Sequence, residues 1–285
     1  MSGARERVAV VTDSTAYLPA DLIERNRLTV VPLQVVVGGR SLAEGVEVSS
    51  DEVAQALREW RPVTTSRPSP QTFADTYRAL GVPEVVSVHL SSDLSGTADA
   101  ARVAARQVEG EGIAVTVVDS RSLGMGLGFV ALAAARAVLD GADAETAARV
   151  ARRLAPEVCT WVYVDTLDYL RRGGRINAAA AVVGSALSVK PLLQLVDGRL
   201  EPFERVRTTG RALARLEELA VREAGDRSVD VAVQHLASPE RARDTADRLA
   251  AALPRVRSLH VGEVGAVVGA HVGPGMLGVA VAPAV

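Results

Sequence analysis

Four hydroxyl side chains, Ser91, Ser92, Ser95 and Thr97, crowd into the end of the segment VVSVHLSSDLSGT. An apolar run leads straight into them. Where a strand gives way to a helix, the helix offers amides without intrahelical partners and a partial positive charge, so the segment could receive an oxyanion. The same residues also suit plain helix capping. A second run, Thr64-Thr65-Ser66-Arg67-Pro68-Ser69-Pro70, packs further hydroxyls between helix candidates. Ser69 before Pro70 reads as a cap, which leaves Thr64, Thr65 and Ser66 unexplained. Two such clusters together point to a shared polar site. Asp13, in Thr12-Asp13-Ser14-Thr15, could ligate a metal or act as a base, or it could form an Asx turn.

Two cationic motifs add to this. In Arg171-Arg172-Gly173-Gly174-Arg175-Ile176, three guanidinium groups surround two glycines, which suits a solvated helix end, an anion site or a basic docking surface. His271, in His271-Val272-Gly273-Pro274-Gly275, either hydrogen-bonds the backbone or faces an acidic ligand. Other chemistries find little support. There is no GxSxG elbow and no Lys-Ser/Thr phosphate loop, and the four histidines lack metal-ligand spacing, so no metal site is expected. Gly124-Met125-Gly126-Leu127-Gly128 has the spacing of close helix packing better than that of a dinucleotide loop.

Short β-branched runs alternate with alanine-rich amphipathic stretches in the first half, the βαβ pattern of a parallel sheet. Strands are expected at 8–12, 30–37, 85–90 and 114–119. Helices are expected at 19–26, 51–60 (with Ser50 as cap), 70–80, 96–108, 123–139 and 144–154. The second half predicts a strand at 160–164, a hairpin turning at Asp197-Gly198, helices from 210 and 239, and strands at 229–236, 258–261 and 277–281. The fold class is therefore α/β in two lobes, an N-terminal, mainly parallel, Rossmann-like sheet at 1–156 and a C-terminal mixed lobe at 157–285.

The 285 residues suffice for such a pair of cores. A net charge of −2 speaks against a nucleic-acid partner, and a single cysteine, Cys159, excludes an internal disulfide and reads as a small buried hydrophobe. Residues 264–285 carry no formal charge, yet five glycines and two prolines interrupt them. They read as a buried loop between strands, with no integral membrane segment, and the expected location is cytoplasmic.

Taken in order, VAVVTDSTAYLP, TTSRPSP, VVSVHLSSDLSGT, VVDSRSLGMGLG, LDYLRRGGRI, KPLLQLVDGRL, VRTTGRAL and HVGPGMLGVAV resemble the DegV family over about 8–282. That family includes the fatty-acid-binding subunits of bacterial fatty acid kinase. The resemblance implies a non-catalytic protein without a cofactor, which holds a long-chain fatty acid in an apolar tunnel between its lobes and presents the carboxylate to a separate ATP-dependent kinase subunit. It also implies that a hydroxyl of the Thr64-Thr65-Ser66 run and Ser95 meet the carboxylate, with Arg175 and His271 nearby. Thr65 is the expected contact, though Thr64 remains open. Arg67 stands where the family often has Gln. Arg171 and Arg172 are expected to dock the kinase. The competing reading is a phosphoryl or acyl transfer enzyme that uses Asp13 and the Ser/Thr loops.

Overall fold

The computed structural model describes residues 7–176 and 189–285. The chain begins β1 (Val8–Asp13), α1 (Ala20–Arg25), β2 (Leu28–Val31), β3 (Gln34–Val37), β4 (Arg40–Ala43), α2 (Ser50–Arg58), β5 (Val63–Ser66) and α3 (Pro70–Leu80). It continues through β6 (Glu84–His89), α4 (Thr97–Glu109), β7 (Ala114–Asp119), α5 (Met125–Leu139), α6 (Ala144–Leu154), β8 (Cys159–Tyr163) and α7 (Asp168–Arg172). The remainder is β9 (Lys190–Val196), β10 (Arg199–Val206), α8 (Thr209–Ala224), β11 (Val229–His235), α9 (Pro239–Ala252), β12 (Val256–Glu263), α10 (Ala266–Val272) and β13 (Leu277–Pro283).

Three sheets result. A parallel sheet runs β2-β1-β6-β7, a mixed sheet runs β10-β9-β8-β13-β11-β12, and a small antiparallel sheet runs β4-β3-β5. The small sheet corrects the expectation of one strand at 30–37. Pro32 lies between β2 and β3 and has no amide to give a ladder, so the chain leaves the parallel sheet there and pairs elsewhere. The expected hairpin forms, with β9 antiparallel to β10 across Asp197 and Gly198, both at positive φ.

Helix starts follow local chemistry with small corrections. Ser69 accepts from Thr72 N at 3.0 Å with Pro70 in the first turn, as the spacing predicts. The cap of α2 is Ser49 rather than Ser50, because Glu52 three residues on closes a capping box with it. Ser238 makes no side-chain cap bond to α9.

The helix α5 is buried almost throughout and packs on β1, β6, β11 and β13, so it is the core shared by the two larger sheets. Its glycines serve packing: at Gly126 and Gly128 a Cβ would press on Ser122 and Leu18. The helix starts at Gly124, whose φ of 60° and ψ of −148° is a region open to glycine alone. Gln234 Oε1 from β11 then accepts from Met125 N at 2.8 Å, which ties the mixed sheet to the helix start.

Residues 264–285 are not a loop. They form α10 and then β13, which is flanked by β8 and β11 at the centre of the mixed sheet, and this explains why the stretch is uncharged. Among the described residues no helix is long and apolar enough to cross a membrane. Cys159 is half-buried rather than buried, and burial pushes its thiol up to about 11.

Candidate functional site

All three sheets contribute to one cavity of about 260 Å³. The parallel sheet supplies Leu90, Leu94, Ser95 and Gly96 from the loop at the carboxyl end of β6, a common place for ligands in open α/β sheets. The small sheet supplies Thr65 and Ser66 from β5, and β10 of the mixed sheet supplies Leu200. The helices α7 and α10 close the space with Leu170, Val268 and His271. Most of the lining is aliphatic, and among the described residues no carboxylate faces it.

The polar groups gather in one place. Thr65 Oγ1 lies 2.8 Å from His271 Nε2 across 206 positions of sequence. Arg175 follows α7 and donates from Nε to Leu94 O at 3.1 Å and from Nη1 to Gly173 O at 2.6 Å, which sets its guanidinium beside the residue preceding Ser95. Ser95 Oγ lies 2.9 Å from Thr97 Oγ1. The Arg67 guanidinium packs against Gly96 so closely that a Cβ there would collide with it.

Burial and, second, the charge of Arg175 push His271 down to about 4, so the ring is neutral at pH 7. Gly173 makes room for it, since a Cβ at that position would collide with Nδ1. This depression has a sign in stability. In the unfolded chain the imidazole takes up a proton below its ordinary value near 6.5, while the folded chain resists doing so until about 4. The contribution is therefore complete above pH 6.5 and is lost as pH falls from 6.5 to 4, by roughly 3 kcal/mol at about 1.4 kcal/mol per unit. In urea unfolding, wild type should lose that much more stability over the window than His271→Gln. Parallel pH profiles for the two proteins would contradict it.

His271 is carried on α10, whose position depends on distant polar contacts. Val267 N donates to Glu44 Oε1 at 2.7 Å and Val268 N to Tyr17 Oη at 3.1 Å. Glu44 also accepts from Ser14 Oγ and Tyr17 Oη, and burial raises its carboxyl above the ordinary range. Glu44 and Tyr17 carry no sequence signal of this role, because their partners lie over 220 positions away.

The hydroxyl run at 91–97 does not cap α4. Its cap residue is Gly96, which makes no side-chain cap bond. Ser91 instead donates to Gly198 O at 2.7 Å, joining the loop to the β9–β10 turn. In the other run, Thr65 is half-buried while Thr64 and Ser66 are exposed, the alternation of a strand paired with β3. Ser66 still lines the cavity, whereas Thr64 lines only an outer groove.

Asp13 is fully buried and its oxygens are committed. Oδ1 accepts from Thr15 N at 3.1 Å and Thr15 Oγ1 at 2.5 Å; Oδ2 lies 3.0 Å from both Leu90 N and His89 Nδ1. It forms the Asx turn and does not line the cavity. Among the described residues no cluster of His, Cys, Asp and Glu could hold a metal ion.

Arg171 and Arg172 lie outside the cavity. Arg171 is exposed and pairs with Asp168 at 3.0 Å, while the Arg172 guanidinium sits over the rings of Trp60 and Tyr169. Trp60 carries no sequence signal for this contact, which joins distant parts of the chain.

This architecture recurs in known proteins. A solved DegV family protein from Thermus thermophilus, described as fatty acid binding, superposes with a TM-score of 0.91 at 34% identity, over 98% of this chain and 100% of that one. DegV from Bacillus subtilis, described as a fatty acid binding protein, gives 0.90 at 33% over the same shares. A DegV domain-containing protein of Streptomyces coelicolor is 57% identical over 277 residues, 96% of this chain and 98% of that protein. The family model described as "Uncharacterised protein, DegV family" matches residues 7–284, and the chain belongs to the DegV family.

Proposed function

We propose that this protein binds one long-chain fatty acid between an N-terminal lobe, 1–156, and a C-terminal lobe, 157–285, and presents its carboxylate to a separate ATP-dependent kinase in the cytoplasm. The observation that carries the reading is the aliphatic cavity whose hydroxyl and cationic groups, Thr65, Ser95, Arg175 and Arg67, gather at one place with no opposing carboxylate among the described residues. Solved relatives described as fatty acid binding support it.

Tail and head divide the work. Each buried methylene contributes about 0.8 kcal/mol, so a sixteen-carbon tail supplies roughly 12 kcal/mol before association costs. The head is held by hydrogen bonds of about 1.5 to 3 kcal/mol each to its charge, without which burying a carboxylate is prohibitive. Thr65 and Ser95 donate to its oxygens, Ser66 lies at the same end, and Arg175 compensates the charge. With the proton of the neutral ring on Nε2, His271 donates to Thr65 Oγ1 and leaves the threonine proton for the ligand. In the kinase step a carboxylate oxygen bonds to the terminal phosphorus of ATP and the bond to the ADP oxygen breaks. No proton need move on this chain, which is consistent with a carrier rather than an enzyme.

Denaturing mass spectrometry of the purified protein tests the reading. A co-purified long-chain fatty acid is expected, and bound nucleotide or an empty protein would count against it. Arg171 and Arg172 form the kinase-docking surface in this proposal, through charge-steered association that weakens with salt. The double variant Arg171→Glu/Arg172→Glu should lose at least tenfold in acyl-phosphate formation with the kinase. Wild-type turnover would remove the docking role, and loss of bound lipid would move these side chains into the ligand site.

A further inference from the structure

The helix α10 is a wall of the cavity, which it lines with Val267, Val268, His271 and Val272. Its seven residues make two turns, too few for a helix to hold itself, so its place depends on its contacts. It starts from Gly265 and ends at Gly273, whose φ is 76°, and glycine at both joints leaves the direction of the helix open. Apolar packing on α2 and α7 keeps it in its layer. Such packing is non-directional and fixes rotation and axial position less closely than hydrogen bonds of defined length.

Two polar pins supply those bonds. At the first turn Val267 N donates to Glu44 Oε1 at 2.7 Å and Val268 N to Tyr17 Oη at 3.1 Å, and these are amides that a helix start leaves without a partner. Tyr17 donates to the same Glu44 oxygen at 3.0 Å, and Ser14 donates to the other. About one turn later, His271 Nε2 meets Thr65 Oγ1 at 2.8 Å. Both pins are mounted on the small sheet. Glu44 follows β4 and its amide donates to Leu33 O at 2.9 Å, Thr65 lies in β5, and β3 pairs with both strands. Gly265 leaves room for the first pin, since a Cβ there would lie 2.4 Å from both Glu44 Oε1 and Tyr17 Cε1. Neither Glu44 nor Tyr17 lines the cavity.

We propose that Glu44 and Tyr17 are positioning residues of the fatty-acid site, which set the rotation and axial position of α10 and so hold the His271 imidazole against Thr65 without touching the ligand. The inference rests on the fatty-acid-binding reading above. His271 lies about 6 Å along the axis from Val267, so a rigid helix carries a displacement of its first turn to the imidazole. A shift of about 1 Å takes the 2.8 Å contact beyond hydrogen-bond distance. Thr65 then loses the donor that occupies its oxygen, and its own proton is no longer reserved for the carboxylate. The same displacement opens the imidazole to water, and burial is the main cause of its low titration.

The test measures two quantities on delipidated protein, hexadecanoate affinity and the titration of His271 by NMR, with thermal melts as the folding control. Glu44→Ala removes the first pin, and Gly265→Ala displaces it while keeping every polar group. Each should lower affinity by about tenfold or more, the scale of one misaligned charge-assisted bond. Each should also move His271 from about 4 toward its ordinary 6.5. Glu44→Gln keeps a carbonyl for Val267 N and an amide that donates to Ser14, so it should retain most of the affinity and the low titration. Tyr17→Phe removes one oxygen and keeps the ring, so it should show a smaller change in both quantities even where the alanine variants fail to fold. Wild-type affinity in the folded variants would overturn the proposal. So would lost affinity with His271 still titrating near 4, because the helix would then not have moved. Failure of wild type to bind hexadecanoate would overturn the fatty-acid reading, while the His271 titration would still decide whether Glu44 and Tyr17 position the helix.

Discussion

The double variant Thr65→Val/Ser95→Ala should retain its fold and lose about 100-fold or more in fatty acid affinity. Valine keeps the branched shape that β5 needs opposite buried Val35, so the strand pairing persists while the hydroxyl goes. Ser95 lies in the loop before α4, and among the described residues its side chain bonds only to Thr97, while its amide bond to Ser91 O survives in alanine. Each hydroxyl removed from a buried carboxylate costs about 1 to 3 kcal/mol. Because both meet the same head group, the losses need not add, and the single variants are required alongside the double. His271 Nε2 also loses its 2.8 Å partner in Thr65→Val, which adds to the cost. Displacement titration on delipidated protein, with thermal melts as a folding control, reads the effect. Wild-type affinity in a folded double variant would show that the head lies elsewhere in the cavity.

Asp13→Asn should destabilise the protein by roughly 3 to 5 kcal/mol, the scale for breaking a buried charged network, out of a total of about 5 to 15 kcal/mol. Asp13 accepts from Thr15 and Leu90 and faces His89, all inside the core at the carboxyl ends of β1 and β6. The amide NH₂ of asparagine would turn a donor toward groups that are themselves donors. His89 continues the chain of bonds to Ser87 at 2.7 Å and Ser87 to Tyr77 at 2.8 Å, so the loss spreads through a connected network. Urea unfolding measures this directly. A variant of full stability that had lost an activity would instead support Asp13 as a catalytic base, the role the competing enzyme reading requires.

What the sequence by itself determined is the local architecture. The alternation of β-branched and alanine-rich segments marked the strands and helices of the parallel sheet, Ser69-Pro70 marked the start of α3, and Asp197-Gly198 marked the hairpin. These features depend on backbone preferences and caps within a few residues, so they survive in one dimension. The family resemblance carried by the motifs also brought forward Thr65, Ser95, Arg175 and His271, which the fold collects around one cavity. Tertiary structure alone decided the rest. That Thr65 and not Thr64 lines the cavity turns on the pleat of β5, and that pleat is set by pairing with β3 after Pro32 breaks the run at 30–37. The uncharged stretch at 264–285 became a helix and a central strand because Glu44 and Tyr17 bind the first amides of α10 and because β8 and β11 cover β13 on both edges. The Arg172 guanidinium likewise meets the Trp60 ring only because the fold brings the end of α2 beside α7. Hydrogen bonds and ring contacts between residues a hundred or more positions apart leave no periodicity in the chain, and it is these contacts that turn a set of polar residues into a site.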